Sequence, residues 1–337
     1  MSNLLRPFVS IIMPIKNEER YIERSLGAVL AQDYPVDLLE VLIVDGNSSD
    51  HTRDLVSKLA TTSKFPISML DNPTGIVPKA LNIGLCHAKG DIIIRVDGHC
   101  EIQKDYAQTC VDQLLRKNVD CVGGSIETIG ETYMAKTIAI AMSTSLGVGN
   151  VAFRVMKGKT QLTDSVPFPA YPKKIFEKIG NFDEDMLCNE DDEFNYRLLK
   201  NNGCILLVNN LQTRYFSRGS LRSLWKQYFR YGLWKVRILQ KHPGQMRIRQ
   251  FVPSLFVMAI IASVILSFLS PNGWRILPIL FGIYLLAILV SSLKSNHLKR
   301  LSYLLTLPIV FLVLHTSYGI GFLTGFFKFR SYFRKIV

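Results

Sequence analysis

No aspartate or glutamate follows Glu193 in this chain of 337 residues. All 27 acids lie at or before that position, beside 20 lysines and arginines, and the last 144 residues hold 20 more basic side chains with no acid to pair them. The net charge of +13 thus divides into −7 and +20. The basic part needs anions from outside the chain. Its charges flank apolar runs rather than aromatic platforms, so lipid headgroups or phosphates are the expected partners and nucleic acid is not.

Other absences narrow the chemistry. The cysteines at 86, 100, 110, 121, 188 and 204 show no C-x-x-C spacing, so they read as reduced thiols rather than a disulfide frame or a zinc site. No G-x-G-x-x-G follows the first strand, and neither a P-loop nor a G-x-S-x-G elbow is present. The N-terminus lacks the apolar core of a signal peptide, so the first part is expected to stay in the cytoplasm.

What is present begins with three apolar runs, 251–270, 276–293 and 301–327, each near the roughly 20 residues that cross a bilayer. They make 251–337 a multi-pass domain of the cell (inner) membrane by expectation. The stretch Arg214–Arg249 carries ten Lys and Arg, Lys294–Arg300 three and Pro271–Arg275 one, which places the hairpin tip outside and the other loops inside. The tail is the misfit: a third crossing would put Lys328, Arg330, Arg334 and Lys335 outside. Run 301–327, with Pro308, Gly319, Gly321 and Gly325, is therefore expected to be broken or re-entrant. Before the runs, Leu221, Leu224, Trp225, Tyr228 and Phe229 recur at helical spacing opposite Arg222, Lys226 and Arg230. Residues 214–250 read as a basic amphipathic segment lying in the membrane interface.

The first 125 residues alternate strand and helix patterns, with strands at 8–14, 40–45, 67–70, 91–97 and 120–124 and helices near 18–32, 50–59, 78–88 and 105–117. This predicts an α/β fold, a Rossmann-like and mostly parallel sheet with helices on both faces. Ligands of such sheets bind beyond the carboxyl ends of the strands, where 14–18, 45–50 and 97–99 all fall. In Arg-Val-Asp-Gly-His (95–99), alternation sets Asp97 and His99 on one side of an extended chain, half a site for a divalent cation. The competing reading is a turn in which Asp97 caps a helix. From 126 to 213 the pattern is less regular: Pro167–Pro172 reads as a rigid loop, and Glu190, Asp191, Asp192 and Glu193 open an amphipathic helix. The helix macrodipole accounts for one or two of those acids, not four. Strand-end acids, basic segment and anchor together suit transfer from a nucleotide diphosphate, held by a cation, to a lipid-bound acceptor.

The ordered motifs Val-Ser-Ile-Ile-Met-Pro-Ile-Lys-Asn-Glu-Glu (9–19), Val-Asp-Gly-Asn-Ser-Ser-Asp (44–50), Lys-Ala-Leu-Asn-Ile-Gly (79–84), Arg-Val-Asp-Gly-His (95–99), Asn-Glu-Asp-Asp-Glu-Phe-Asn-Tyr-Arg-Leu (189–198) and Gln-Tyr-Phe-Arg-Tyr (227–231) resemble family 2 glycosyltransferases with a GT-A catalytic domain. Within them the chain is most similar to membrane-associated transferases of the succinoglycan-biosynthesis type, closely over about 8–245. The resemblance implies a catalytic domain at 1–213, with a nucleotide-binding half at 1–125 and an acceptor half at 126–213. It implies that Pro14 and Glu18 shape the nucleotide pocket, that Asp45 bonds a uracil, and that Lys79 and Asn82 lie near the nucleotide. Asp97 and His99 match the D-x-D metal motif, with His in place of the second Asp, and Gly98 would let the backbone approach the diphosphate. An imidazole in that place should favour Mn²⁺ over Mg²⁺. Asp191 matches the base of an inverting displacement, with Glu190 on the acceptor side. Gln227 and Arg230 match Q-x-x-R-W, but Tyr231 replaces Trp, which argues against a long-chain processive synthase. The implied reaction takes a sugar from a UDP-hexose to a lipid-linked saccharide in exopolysaccharide or cell-surface glycan biosynthesis. A polyprenyl-phosphate acceptor and a non-catalytic nucleotide-sugar scaffold are the alternatives.

Overall fold

The computed structural model describes residues 6–155, 158–270, 273–294 and 302–330. The basic loop at 295–300, Arg334 and Lys335 lie outside the described residues. The chain forms two compact units: Met1–Glu127 with Met156–Tyr215, and Thr128–Val155 with Phe216–Val337.

The first unit is built on a sheet of Val9–Ile15 (β1), Leu39–Asp45 (β2), Ile67–Asp71 (β3), Ile92–Arg95 (β4), Cys100–Ile102 (β5), Cys121–Ile129 (β6), Gln161–Thr163 (β7), Ala170–Pro172 (β8) and Ile205–Phe216 (β9). Every residue of β1 and β2 is buried, as a strand covered on both faces requires. The strand order is β3-β2-β1-β4-β8-β6-β9-β5, with β7 paired to β9. β3, β2, β1 and β4 are mutually parallel. Beyond β4 the paired strands turn antiparallel, because Ala170–Pro172, read from sequence as loop, enters the sheet as β8: Ala170 sits opposite both Ile94 and Val122. Pairing of β1 with β4 ends at Ile12 opposite Arg95, so Pro14 lies beyond it and its missing N–H breaks no ladder bond on that side. The parallel register brings Ile15, Asp45 and Asp71 level. All six cysteines are free thiols.

In the second unit the helices Ile248–Leu269, Ile276–Lys294 and Ser302–Lys328 contain three stretches long and apolar enough to cross a membrane. The break expected in the last run is absent: Ser302–Lys328 is one continuous helix with Pro308 inside it. Its glycines are close-contact positions instead. A Cβ at Gly321 would collide with the Phe229 carbonyl, and one at Gly232 with the Tyr318 carbonyl, so the helix Leu221–Lys241 packs backbone to backbone against it.

Candidate active site

The loops after β1 and β2 are stitched together by asparagines in the left-handed region, Asn17 at φ 54° and Asn47 at φ 63°. Asn17 donates its N–H to Ser48 Oγ at 2.9 Å, its side-chain oxygen accepts from Ser49 N at 2.8 Å, and Glu18 N–H donates to Thr52 Oγ1 at 2.8 Å. Asp45 accepts from Ser48 Oγ at 2.6 Å, Ser48 N at 3.1 Å and Arg53 Nη1 at 2.9 Å. Its side chain has no exposed surface, so in this state it anchors the loop and Arg53. Arg53 also pairs with Asp71 at 2.8 Å and stays partly exposed at the strand ends.

Asp97 caps no helix; the next element is β5. The turn is pinned by Ser25 Oγ donating to the Gly98 carbonyl at 2.8 Å and by the Cys100 thiol donating to the Asp97 carbonyl at 3.1 Å. His99 Nδ1 stands 2.8 Å from Glu18 Oε1, and the ring meets Tyr215 edge-on at 5.5 Å. An ionised carboxylate only accepts, so Nδ1 carries the proton and Nε2 is the nitrogen that would bind a cation. A Cβ at Gly98 would come within 2.8 Å of Glu18 Cγ. Glu18 and Ile15 thus fill the side of Gly98 where a side chain would project.

Arg95 is the site residue that sequence reasoning missed. Its Nε lies 2.9 Å from Asp97 Oδ1, and its Nη1 lies 3.0 Å from Glu190 Oε1. One guanidinium therefore joins the cation-motif carboxylate to the acidic helix Glu190–Lys200. Burial opposes the Asp97 charge, but Arg95, His99 and the Arg95 hydrogen bond outweigh it and hold the carboxyl below its usual range. Burial likewise opposes the Arg95 charge, and Asp97, Glu190 and Asp191 more than offset it, so the guanidinium stays firmly protonated.

The four acids of that helix have separate settings. Glu190 is taken by Arg95, and Glu193 by Arg197 at 2.7 Å. Arg197 also donates to the carbonyls of Ile179 and Asn181, fixing the preceding turn. The helix starts at Asn189, φ 62°, with no side-chain cap, so Asp191 is not the capping residue. Desolvation, then the charges of Glu190 and Asp192, push the Asp191 carboxyl up to about 7, against the pull of Arg95. That value suits a general base near neutral pH.

The acidic helix is held from behind. Tyr171 of β8 donates to Asn195 Oδ1 at 3.0 Å and packs on Phe176 and Phe194. Asn82 clasps the preceding loop with both ends of its amide, donating to the Phe182 carbonyl at 2.9 Å and accepting from Phe182 N at 3.0 Å. The structure thus uses Asn82 to tie helix Val77–His87 to the loop before the acidic helix, and Lys79 lies half-buried on the same helix. Asp97, Glu190 and Asp191 gather around Arg95, and the Glu18–His99 pair adjoins them through Asp97; Asp45 belongs to the separate Ser48, Arg53 and Asp71 network.

Comparison with known proteins decides the family. Residues 10–180 match the glycosyl transferase family 2 domain, half of the chain. The chain belongs to glycosyl transferase family 2. It is 28% identical over 97% of its length, and 99% of the relative's, to the dolichyl N-acetyl-alpha-D-glucosaminyl phosphate 3-beta-D-2,3-diacetamido-2,3-dideoxy-beta-D-glucuronosyltransferase of Methanococcus voltae. It is 28% identical to the succinoglycan biosynthesis protein ExoA of Rhizobium meliloti, over 95% of both chains. Among solved structures, the mannosyltransferase PcManGT of Pyrobaculum calidifontis, in complex with GDP-Man and Mn²⁺, superposes with a TM-score of 0.58 at 18% identity, covering 94% of this chain and 88% of that one. The fold is therefore of the GT-A type.

Family 2 chemistry frames the remaining residues. Among the described residues no cluster of three or more His, Cys, Asp and Glu is arranged to hold a metal. Asp97 and His99 would supply two protein ligands, and the carboxylate behind His99 is the usual support of a metal-binding imidazole. That donor set fits a cation completed by substrate oxygens and water. Gln227 and Arg230 lie in the second unit on helix Leu221–Lys241, and the Gln227 amide donates to the Tyr231 hydroxyl at 3.0 Å. A tyrosine at the Trp position of Q-x-x-R-W thus contributes a polar partner.

Proposed function

We propose that this family 2 enzyme is an inverting hexosyltransferase. It moves a sugar from a nucleotide diphosphate, a UDP-hexose, to a lipid-linked saccharide at the cytoplasmic face of the inner membrane. The observation that carries the reading is the Arg95 bridge: it ties the carboxylate of the D-x-H motif to the acidic pair that contains Asp191. Asp191 takes the proton of the acceptor hydroxyl, and the freed oxygen attacks the anomeric carbon from the face opposite the departing diphosphate. A bound divalent cation, Mn²⁺ in preference to Mg²⁺, would offset charge on that leaving group. The lipid-linked acceptor is supported by the full-length relative named for acting on a dolichyl sugar phosphate and by ExoA, which belongs to succinoglycan biosynthesis.

The test is UDP release by detergent-purified protein across a panel of nucleotide sugars, with and without Mn²⁺, against a membrane lipid extract. Cation-dependent release that rises with the lipid extract, and a radiolabelled lipid product, are expected. Tight UDP binding without turnover on any donor and lipid would overturn the enzyme reading.

A further inference from the structure

We propose that helix Ser302–Lys328 lies flat in the membrane surface. The chain then crosses the bilayer twice, and Lys328 and Arg330 remain on the face that holds the basic helix Leu221–Lys241. Three observations within the second unit support this.

The first is burial. Helices Ile248–Leu269 and Ile276–Lys294 are largely open, whereas half of the apolar stretch of the third is buried. Its buried positions run through Tyr303, Leu307, Val310, Leu314, Ser317, Phe322 and Phe329, one face along the whole length.

The second is what covers that face. Near its start, Tyr133 stacks on Tyr303 at 5.2 Å, and the Tyr133 hydroxyl lies 3.1 Å from Thr306 Oγ1. Midway, His315 Nε2 donates to the Leu146 carbonyl at 2.9 Å, and its Nδ1 lies 2.8 Å from the Tyr284 hydroxyl. Helix Leu221–Lys241 then runs alongside in the same direction, with Phe229 against Gly321, Leu233 against Gly325, and Gln240 donating to the Phe329 carbonyl at 2.9 Å. Arg222, Lys226 and Arg230 are exposed on that covering helix. A crossing Ser302–Lys328 would carry them into hydrocarbon, where such charges are strongly disfavoured.

The third is the level of membrane entry. Helix Ile248–Leu269 follows Arg247, and its first turns dock beyond the midpoint of the long helix: Phe251 meets Phe322 at 5.6 Å, and a Cβ at Gly319 would sit 2.5 Å from the Pro253 carbonyl. If the long helix crossed, the first span would begin well inside the bilayer. Lying flat keeps the Phe251 and Pro253 contacts near the level where the first span enters, holds Lys328 and Arg330 with the other basic residues, and turns exposed Leu305, Ile309, Ile320 and Phe327 toward lipid.

Labelling with a membrane-impermeant maleimide, in inverted and right-side-out vesicles, tests this on the full chain. Cys86 is the exposed native thiol and reports the face of the transferase unit. In a Cys86→Ser background, Arg330→Cys is expected to label in the vesicles where Cys86 does, and Trp274→Cys in the opposite ones. Labelling of Arg330→Cys together with Trp274→Cys overturns the inference. The inference rests on the membrane reading, and the Trp274→Cys arm separates the two: if that position labels with Cys86, the hairpin does not cross and the membrane reading fails too. Spin labels at Leu305→Cys, Ile320→Cys and Phe327→Cys are expected at one shallow depth; a depth that changes steadily, or peaks midway, also overturns the flat placement.

Discussion

Arg95 and Glu190 form an ion pair at 3.0 Å that joins the end of β4 to the first turn of the acidic helix. Both side chains are nearly buried, and the same guanidinium holds Asp97. Loss of Arg95 would leave two carboxylates uncompensated.

Arg95→Met is accordingly expected to cost about 3 kcal/mol or more of stability, the usual result of removing one partner of a buried ion pair. Arg95→Lys keeps the charge without the fork and should fall between wild type and Arg95→Met. Urea unfolding of the three proteins checks the order, and equal midpoints would contradict it.

Asp191 sets a pH dependence with a defined sign. Its folded carboxyl is raised to about 7, so, as the proposed base, it is expected to ionise and transfer is expected to rise as pH climbs through that value. A flat profile between pH 6 and 8 would place the base elsewhere. Asp191→Asn should retain UDP binding and lose roughly 100-fold or more in transfer.

The same carboxyl acts oppositely on stability. The folded chain holds its proton more tightly than the unfolded one between about pH 4 and 7, so this contribution is complete at low pH and is lost as pH rises through that window. Asp191→Asn escapes the loss and should melt higher than wild type at pH 8, by on the order of 1 kcal/mol. Melting curves of the two proteins at pH 5 and pH 8 would show the gap widen with pH.

Gly98→Ala places a methyl against Glu18 and so removes the carboxylate support of His99. The Mn²⁺ concentration for half-maximal transfer should rise about 10–100-fold with the fold preserved. An unchanged Mn²⁺ titration would separate His99 from the cation.

Gly321→Val drives a side chain into the Phe229 backbone, whereas Gly282→Ala enters open space. Thermal denaturation in detergent should show a clear loss for the first and almost none for the second.

The parallel half of the sheet was legible because β1, β2 and β4 are mostly apolar, with Ser10 and Glu40 the polar exceptions, and each is followed by or ends in polar residues. That grouped Glu18, Asp97 and His99 along one edge, and the structure pairs Glu18 with His99. Arg95 was not legible: in sequence it closes a strand, and its partner Glu190 belongs to another element. Asp45 showed as a strand-end acid, but nothing near it announced that Ser48 and Arg53 would enclose its carboxylate. Ala170–Pro172 reads as loop because three residues among prolines carry no period; two flanking strands make it a strand. The glycines of Ser302–Lys328 looked like breakers because a sequence does not display the neighbouring helix that needs them small.

The insertion of β8 has a consequence for synthesis. β4 leaves the ribosome with one edge paired to β1, and the strand that covers its other edge follows roughly 75 residues later, about 4–15 s at ordinary elongation rates. For that interval Ile92, Ile93 and Ile94 present an open apolar edge, the kind that recruits foreign strands. The nascent transferase is therefore most vulnerable to misassembly, and most in need of a chaperone, before its acidic helix has been made.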